Sequence, residues 1–127
     1  MSAPVVLVAE DDEDILDLVA LCLQQDGYDV VTARDGEEAL RLAGERRPAL
    51  ALLDVQMPKT NGYEVTRRLR ADEATRGMAI IILTASVRDT ELARAFDAGA
   101  DDFLRKPFSP SDLSARVRAA LESEARL

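Results

Sequence analysis

Residues 49–58 read Ala-Leu-Ala-Leu-Leu-Asp-Val-Gln-Met-Pro. Five apolar residues are followed at once by a carboxylate, Asp54, and then by a short segment that ends in a proline. An unbroken apolar run of this length beside a turn signal is typical of a strand that is buried on both faces of a parallel sheet. We therefore predict a buried strand here, with Asp54 at the point where the strand meets a loop.

Three further strand-like segments also end in polar or charged side chains. They are residues 5–9 followed by Glu10, Asp11 and Asp12, residues 80–83 followed by Thr84, and residues 102–105 followed by Lys106. Together with Asp54, the strand ends therefore carry carboxylates, a hydroxyl and an amine. Amphipathic stretches with helical spacing separate the apolar runs, and this alternation predicts repeated βα units around a parallel sheet.

The alternation predicts five strands and five helices. In an open parallel sheet, right-handed crossovers bring the carboxyl ends of all strands to one edge of the sheet. Ligands bind at this edge, at the point where the strand order reverses. The four polar strand ends must therefore converge, and their chemistry should be considered as one set.

The other elements are placed from apolar spacing and end signals. In the first helix, Ile15, Leu18, Val19 and Cys22 form one stripe, so Cys22 is interpreted as core packing, and the helix stops at Gly27. The remaining predicted elements are a strand at 28–33, helices at 36–46 and 63–71, a polar loop at 72–77, a helix with Leu92 and Phe96 that ends near Gly99, and a helix from the N-cap Ser109 through Leu121. Residues 122–127 are predicted to fray.

Composition bounds the class of protein. With 127 residues the chain is one domain, large enough to bury a core. Its 16 basic and 24 acidic residues give a formal charge of −8, which disfavours a nucleic-acid partner because phosphate neutralisation needs clustered cations. A single Cys, no secretory signal pattern and no apolar run near the ~20 residues of a membrane span predict a cytoplasmic protein without membrane contact. The chain has no His, so its chemistry must use carboxylates, Lys, hydroxyls or a metal.

Glu10, Asp11 and Asp54 are expected to lie together at the ends of the first and third strands. Mutual repulsion raises the proton affinity of crowded carboxylates unless a cation intervenes, so the arrangement calls for a metal. Oxygen ligands without His or Cys select a hard ion, and few protein ligands completed by water suit Mg²⁺ better than Ca²⁺. The main-chain carbonyl of Gln56 is a candidate for a further ligand.

A carboxylate beside magnesium, with an ammonium and a hydroxyl aimed at the same point, is what phosphoryl transfer to an aspartate needs. Asp54 would be the nucleophile, without a general base, because a carboxylate next to a cation is ionised at neutral pH. Lys106 would neutralise charge on the phosphoryl oxygens, and Thr84 would add a hydrogen bond. Asp12 and Asp14 are assigned instead to the positive N-terminus of the first helix.

Four motifs carry a resemblance to a known family. They are Val-Ala-Glu10-Asp11-Asp12, Leu-Leu-Asp54-Val-Gln-Met-Pro58 with Gly62, Leu-Thr84-Ala85, and Phe-Leu-Arg-Lys106-Pro107-Phe108. Over roughly residues 4–122, the sequence resembles the receiver domain of bacterial two-component response regulators. The spacings agree as well, since Thr84 lies 30 residues after Asp54 and Lys106 a further 22.

The resemblance implies a flavodoxin-like α/β fold, which is a doubly wound (βα)5 unit with a five-stranded parallel sheet in the order 2-1-3-4-5. Residues 4–122 would form the receiver domain and residues 123–127 a C-terminal tail. Asp54 would be the phosphorylation site. Glu10 and Asp11 would be the acidic pair for Mg²⁺, with Glu10 at a position that is often Asp in this family.

The resemblance also implies roles for residues around this core set. Gln56 resembles the position that gives its main-chain carbonyl to the metal, and its side chain would border the attacking water together with that of Ser86. The Lys106–Pro107 peptide bond is usually cis in this family. Thr84 and Phe103 resemble the switch pair, in which the hydroxyl moves toward the phosphoryl group and the ring follows inward. Phe103 stands where Tyr is common, so only packing can couple it, and a plain core Phe is the alternative.

The implied function is a phosphorylation-dependent switch in phosphorelay signalling. Asp54 would accept a phosphoryl group from the phosphohistidine of a sensor histidine kinase or phosphotransfer protein, and the change would alter binding of a downstream effector protein. A phosphorylation-dependent dimer is also consistent with the resemblance. Such a protein acts on its own phosphorylation state and is not an enzyme for an external substrate. The chain would be either a single-domain regulator or the receiver portion of a longer one.

Three other functions fit parts of the pattern. A haloacid-dehalogenase-type phosphatase also uses an aspartate nucleophile and magnesium, but it has a second acid two residues later, where this chain has Gln56. A flavin-binding module on the same fold needs a glycine- and hydroxyl-rich phosphate loop, where this chain has three acids at residues 10–12. A pseudo-receiver, which docks proteins without being phosphorylated, is the main alternative. The complete set of Asp11, Asp54, Thr84 and Lys106 argues against it.

Overall fold

The computed structural model describes residues 3–85 and 88–125, and within them strands and helices alternate along the whole chain. The strands are β1 (Val5–Ala9), β2 (Asp29–Ala33), β3 (Leu50–Asp54), β4 (Ala79–Thr84) and β5 (Asp102–Arg105). The helices are α1 (Glu13–Gln25), α2 (Gly36–Arg46), α3 (Gly62–Ala71), α4 (Asp89–Ala98) and α5 (Pro110–Ala125). The predicted alternation of elements is confirmed for the described residues.

The strands form one parallel sheet in the order β2-β1-β3-β4-β5, which confirms the predicted topology. The chain leaves β1 for β2 on one side and then returns past β1 to β3, so the strand order reverses between β1 and β3. Neighbouring strands end at nearly the same level. The last paired residues are Ala9 with Leu53, Asp54 with Leu83, and Thr84 with Arg105.

Alternate residues of the central strands face two separate cores. On β4, Ile80 and Ile82 pack with α2, α3 and α4, whereas Ile81 and Leu83 pack with α1 and α5. Every residue of β3 and β4 is buried, as the unbroken apolar runs predict. Burying each Leu or Ile of these strands contributes roughly 1.5–3 kcal/mol, so the central strands form a rigid base for the loops at their ends.

The buried stripe of α1 differs from the predicted one. The buried residues are Leu16, Val19 and Leu23. Leu18, predicted to face the core, is 48% exposed, while Ile15 and Cys22 are partly buried against the core that α1 shares with α5. The helix carries leucines on several faces, so helical spacing fits both stripes, and only packing against the sheet decides between them.

The helix ends agree with the sequence signals except at the C-terminus. The Ser109 hydroxyl accepts the Asp112 N–H at 3.1 Å, as expected of the N-cap of α5, and Gly99 ends α4 in the left-handed region at φ 112°. α5 continues past the predicted end at Leu121 to Ala125, and fraying from residue 122 stays a prediction. The last turn is rich in Ala, Leu and Glu, which are strong helix formers. Residues 126–127 lie outside the described residues.

The first residue of α2 packs tightly against the loop that follows β3. The Gly36 amide donates to the carbonyl of Pro58 at 3.3 Å, and a Cβ on Gly36 would lie 1.9 Å from the carbonyl oxygen of Thr60. Gly44, in the same helix, has open space around its hypothetical Cβ. Only a residue without a side chain therefore fits at position 36, whereas position 44 has no such requirement.

We expect Gly36→Ala to lower the free energy of unfolding by about 1–3 kcal/mol, because the added methyl group forces the loop away from α2. The matched control, Gly44→Ala, should raise it by roughly 0.5–1 kcal/mol by reducing the entropy of the unfolded chain. Urea unfolding followed by circular dichroism measures both. Equal effects of the two substitutions would contradict the tight packing at position 36.

Candidate functional site

Six of the residues singled out from the sequence line one cavity of about 840 Å³ at the carboxyl edge of the sheet. Asp54 and Thr84 are the last residues of β3 and β4, while Glu10 and Lys106 directly follow β1 and β5. The six are Glu10, Asp11, Asp54, Gln56, Thr84 and Lys106. The convergence predicted from alternation is therefore present in the structure.

The Lys106 ammonium lies between two buried carboxylates. Its Nζ donates to Oε1 of Glu10 at 2.6 Å and to Oδ1 of Asp54 at 2.9 Å. Burial alone would lower the pKa of Lys106, but the hydrogen bonds to Glu10 and Asp54 outweigh it and raise the pKa above its ordinary value. Lys106 is therefore a fixed positive charge directed at Asp54.

The backbone around Lys106 holds this position. The Lys106 amide donates to the carbonyl of Thr84 at 2.8 Å, which ties the end of β5 to the end of β4. The Lys106–Pro107 peptide bond is cis, as the resemblance implies. The bond to Thr84 fixes the backbone from which the Lys106 side chain extends to Glu10 and Asp54, at the ends of β1 and β3.

Three carboxylates crowd the same point. Glu10, Asp11 and Asp54 each offer an oxygen atom, and these oxygens lie within 4.8 Å of one another. Burial raises the pKa of Glu10; the hydrogen bond from Lys106 opposes the rise without cancelling it, and the neighbouring Asp54 adds to it. Three negative charges against one ammonium leave the cluster short of positive charge, and its hard oxygen donors fit Mg²⁺.

The loop after β3 is held close to the backbone of Asp54. The Gly62 amide donates to the carbonyl of Val55 at 3.1 Å, and a Cβ on Gly62 would lie 2.5 Å from the carbonyl oxygen of Asp54. Asn61 caps α3 by accepting the Glu64 N–H at 3.0 Å. This anchoring keeps the exposed Gln56 at the wall of the cavity, where its main chain was predicted to face a metal.

Asp12 lines the cavity but serves the helix that begins there, as predicted. Its Oδ1 accepts the N–H groups of Asp14 at 3.0 Å and of Ile15 at 3.3 Å, so Asp12 is the N-cap of α1. Asp14 lies in the first turn of α1, where a negative charge is favourable. Asp12 and Asp14 therefore stabilise the N-terminus of α1 and are distinct from the carboxylates assigned to the metal.

Comparison with known proteins identifies the family of this chain. Residues 6–118 match the family model described as the response regulator receiver domain. This chain is a response regulator receiver domain. The match covers most of the chain and includes every residue that lines the acidic cluster. Glu10, Asp11, Asp54 and Lys106 all lie within the matched residues.

Individual relatives agree with the family match. The DNA-binding dual master transcriptional regulator RpaA of Synechocystis is 42% identical over 124 residues, which is 98% of this chain and 52% of that protein. A response regulator structure from Chloroflexus aurantiacus has a TM-score of 0.91 at 34% identity and covers 95% of this chain and 99% of that chain. The receiver of the sensor histidine kinase PA1611 from Pseudomonas aeruginosa, with magnesium coordinated in its active site cleft, has a TM-score of 0.88 at 30% identity, with 95% and 99% covered.

The receiver spans about half the length of the curated relatives that it matches. Those relatives are named as regulators of transcription, so their activity belongs to longer proteins than the sequence described here. Within residues 3–85 and 88–125, no helix has both the length and the apolar character needed to cross a membrane.

Phe103, the predicted switch partner of Thr84, lies outside the cavity. Its ring is partly buried against the core of α2, α3 and α4 and meets the ring of Phe96 edge-on at 6.2 Å between centroids. The Arg116 guanidinium lies 5.9 Å from the Phe103 centroid and donates to both carboxylate oxygens of Asp102, at 2.9 and 3.0 Å. Ser86, expected to border the attacking water, lies outside the described residues.

Three residues at this edge of the receiver were missed from the sequence. Arg88 and Glu91 line the cavity from the start of α4, and the Tyr63 hydroxyl donates to Oε2 of Glu91 at 2.8 Å. Tyr63 follows the glycine of a recognised motif, which is a weak signal. Tyr63 and Glu91 are 28 residues apart and lie on different helices. Helical periodicity relates residues within one helix only, so it does not predict such a contact.

We expect Glu10→Gln to raise the free energy of unfolding of the metal-free protein at pH 7, because it removes the charge that burial and the neighbouring Asp54 disfavour. The folded-state pKa of Glu10 is raised, so its contribution to stability is complete below the ordinary value of 4.5 and is lost as the pH rises through the folded-state pKa. The variant mimics the protonated form at every pH, so its advantage should disappear below about pH 4.5.

Urea unfolding in the presence of a chelator, at pH 7 and at pH 4, measures this difference. A Glu10→Gln variant less stable than wild type at pH 7 would contradict the unfavourable crowding of the carboxylates.

Proposed function

We propose that this receiver accepts a phosphoryl group on Asp54 and so acts as the switch of a two-component signalling pathway. One observation carries the proposal. The Lys106 ammonium is bonded to both Glu10 and Asp54, and Asp11 offers a further oxygen within 4.8 Å of theirs. A nucleophilic carboxylate, a fixed cation and a set of hard oxygen ligands are thereby concentrated at one point.

In the proposed reaction, a carboxylate oxygen of Asp54 forms a bond to phosphorus while the bond from phosphorus to the histidine nitrogen of the donor breaks. Lys106 neutralises charge on the transferred group, and the hydroxyl of Thr84 donates to one of its oxygens. The receiver catalyses its own phosphorylation and dephosphorylation and turns over no external metabolite.

Glu10, Asp11, Asp54 and the main-chain carbonyl of Gln56 are the proposed ligands of Mg²⁺. The bound ion would offset the repulsion among the carboxylates and the incoming phosphoryl oxygens. The geometry of the acidic cluster supports this assignment, and the PA1611 receiver with its coordinated magnesium is a precedent on the same fold.

The switch is proposed to start from contacts at the ends of β4 and β5. A phosphoryl group on Asp54 competes for Lys106, which the carboxylates of Glu10 and Asp54 now hold, and it attracts the hydroxyl of Thr84. Because the Lys106 amide is bonded to the carbonyl of Thr84, the two strand ends respond together. Phe103, three residues before Lys106 on β5, is proposed to follow by packing alone.

The proposed partners are a sensor histidine kinase or phosphotransfer protein as donor and a downstream effector protein as target, in the cytoplasm. A phosphorylation-dependent dimer belongs to the same proposal. Direct binding of nucleic acid by this chain is not proposed, because its formal charge is −8 and the DNA-binding relatives are about twice its length.

Incubation with acetyl phosphate and Mg²⁺ is expected to add one phosphoryl group to the wild type and none to Asp54→Asn, as measured by intact mass. The charge on Asp54 is needed for attack, and Asn keeps the shape of the side chain without it. A parallel sample with a chelator should show a strongly reduced yield. An unmodified wild type would contradict the proposal and favour a docking module that is not phosphorylated.

Lys106→Ala is expected to leave some phosphorylation but to disconnect it from the structural response, because the cation that links the phosphoryl group to β5 is lost. Lys59→Ala is the matched control, since Lys59 is the other lysine of the chain, lies at the same edge and pairs with Asp35 at 3.8 Å. Amide hydrogen exchange of residues 84–103, with and without acetyl phosphate, measures the response. Equal changes in both variants would reject the role of Lys106.

A further inference from the structure

Glu91 lines the cavity that contains Asp54, and its carboxylate is held toward α3 by Tyr63. The Tyr63 hydroxyl donates to Oε2 of Glu91 at 2.8 Å and lies 3.4 Å from the Glu91 carbonyl oxygen. Tyr63 is only 2% exposed, and the Arg94 guanidinium lies 4.6 Å above the centroid of its ring. The phenol is therefore fixed by packing on one side and by a cation on its face.

The position of this carboxylate matters because the cavity already carries an excess of negative charge. Five carboxylates and two cations line it: Glu10, Asp11, Asp12, Asp54 and Glu91, with Arg88 and Lys106. Both Glu10 and Asp54 already share Lys106. A Glu91 side chain free to turn toward Asp54 would repel an approaching phosphoryl dianion.

We propose that Tyr63 is a positioning residue for phosphoryl acceptance, which acts by holding the Glu91 carboxylate against α3 and away from Asp54. The inference rests on the proposed function and names a residue that affects how readily the same site accepts a phosphoryl group. Tyr63 touches neither the donor nor Asp54 in this scheme. It excludes a competing negative charge from the path of anionic phosphoryl donors.

The hydrogen bond from Tyr63 reaches the part of α4 that is least buried. The residues of α4 that are buried are Ala95 and Ala98, which lie in its second half, so the first turn of α4 has no buried side chain. Burial, followed by the hydrogen bond to Glu91, raises the pKa of Tyr63 to about 12, so the hydroxyl stays protonated and can donate at physiological pH. The hydrogen bond from Tyr63 to Glu91 thus orients the first turn of α4.

Tyr63→Phe removes the hydroxyl and keeps the ring. With acetyl phosphate and fixed Mg²⁺ at low ionic strength, we expect the rate of the mass adduct to fall about three- to tenfold, with the difference shrinking at high salt. Adding Glu91→Gln to Tyr63→Phe should restore the rate, because the released side chain is uncharged. Tyr28 is the only other tyrosine of the chain and directly precedes β2, so Tyr28→Phe should leave the rate of the mass adduct unchanged.

A second pair of variants keeps the test decisive if Tyr63→Phe does not fold. Glu91→Asp keeps the negative charge on a side chain that is too short to accept the hydrogen bond from Tyr63, so its phosphorylation should be slower than that of the wild type. Glu91→Gln carries no charge, so its phosphorylation should not be slower. A Tyr63→Phe rate equal to or above that of the wild type overturns the role. A double variant as slow as Tyr63→Phe also overturns it, since the defect is then structural.

The two proposals fail in distinguishable ways. Absence of the adduct in wild type overturns phosphoryl acceptance and, with it, the role of Tyr63. A normal adduct in wild type with unchanged rates in the Tyr63 and Glu91 variants overturns the positioning role alone.

Discussion

The ammonium of Lys106, shared between Glu10 and Asp54, is the interaction on which the carboxyl edge of this sheet depends. Two buried carboxylates at the ends of adjacent strands repel one another, and removing their common cation would leave uncompensated charge in a poorly hydrated place. The cation comes from β5, two strands away from β3. It reaches Asp54 because the strands end at nearly the same level and because β4, which lies between, ends in the small side chain of Thr84.

This arrangement gives the site a charge balance that is easily altered. Glu10, Asp11 and Asp54 exceed the positive charge of Lys106, so the cluster can take up a divalent cation, and a phosphoryl group would then bring new acceptors for the ammonium. The Lys106 amide is bonded to the carbonyl of Thr84, so the backbone that carries this ammonium is joined to the end of β4.

Much of the fold and of the site could be predicted because both follow from strand ends. Apolar runs located β3 and β4, alternation implied one carboxyl edge, and the residues after each run were the ones that converge. The strand order came from the family resemblance, since alternation alone does not fix it. The predicted buried face of α1 was wrong because leucines lie on more than one face of this helix, so helical spacing fits more than one choice. The contact of Tyr63 with Glu91 was missed because it joins separate helices.

The most direct test of the central claim is a crystal structure of the protein with Mg²⁺ and beryllofluoride, a stable mimic of an aspartyl phosphate. Beryllofluoride should bind a carboxylate oxygen of Asp54, with the metal among Glu10, Asp11 and Asp54, and the Lys106 ammonium should shift from Glu10 to a fluorine atom. Beryllofluoride absent from Asp54 at saturating concentration, or Lys106 still bonded to Glu10 beside a modified Asp54, would contradict the role of this ammonium.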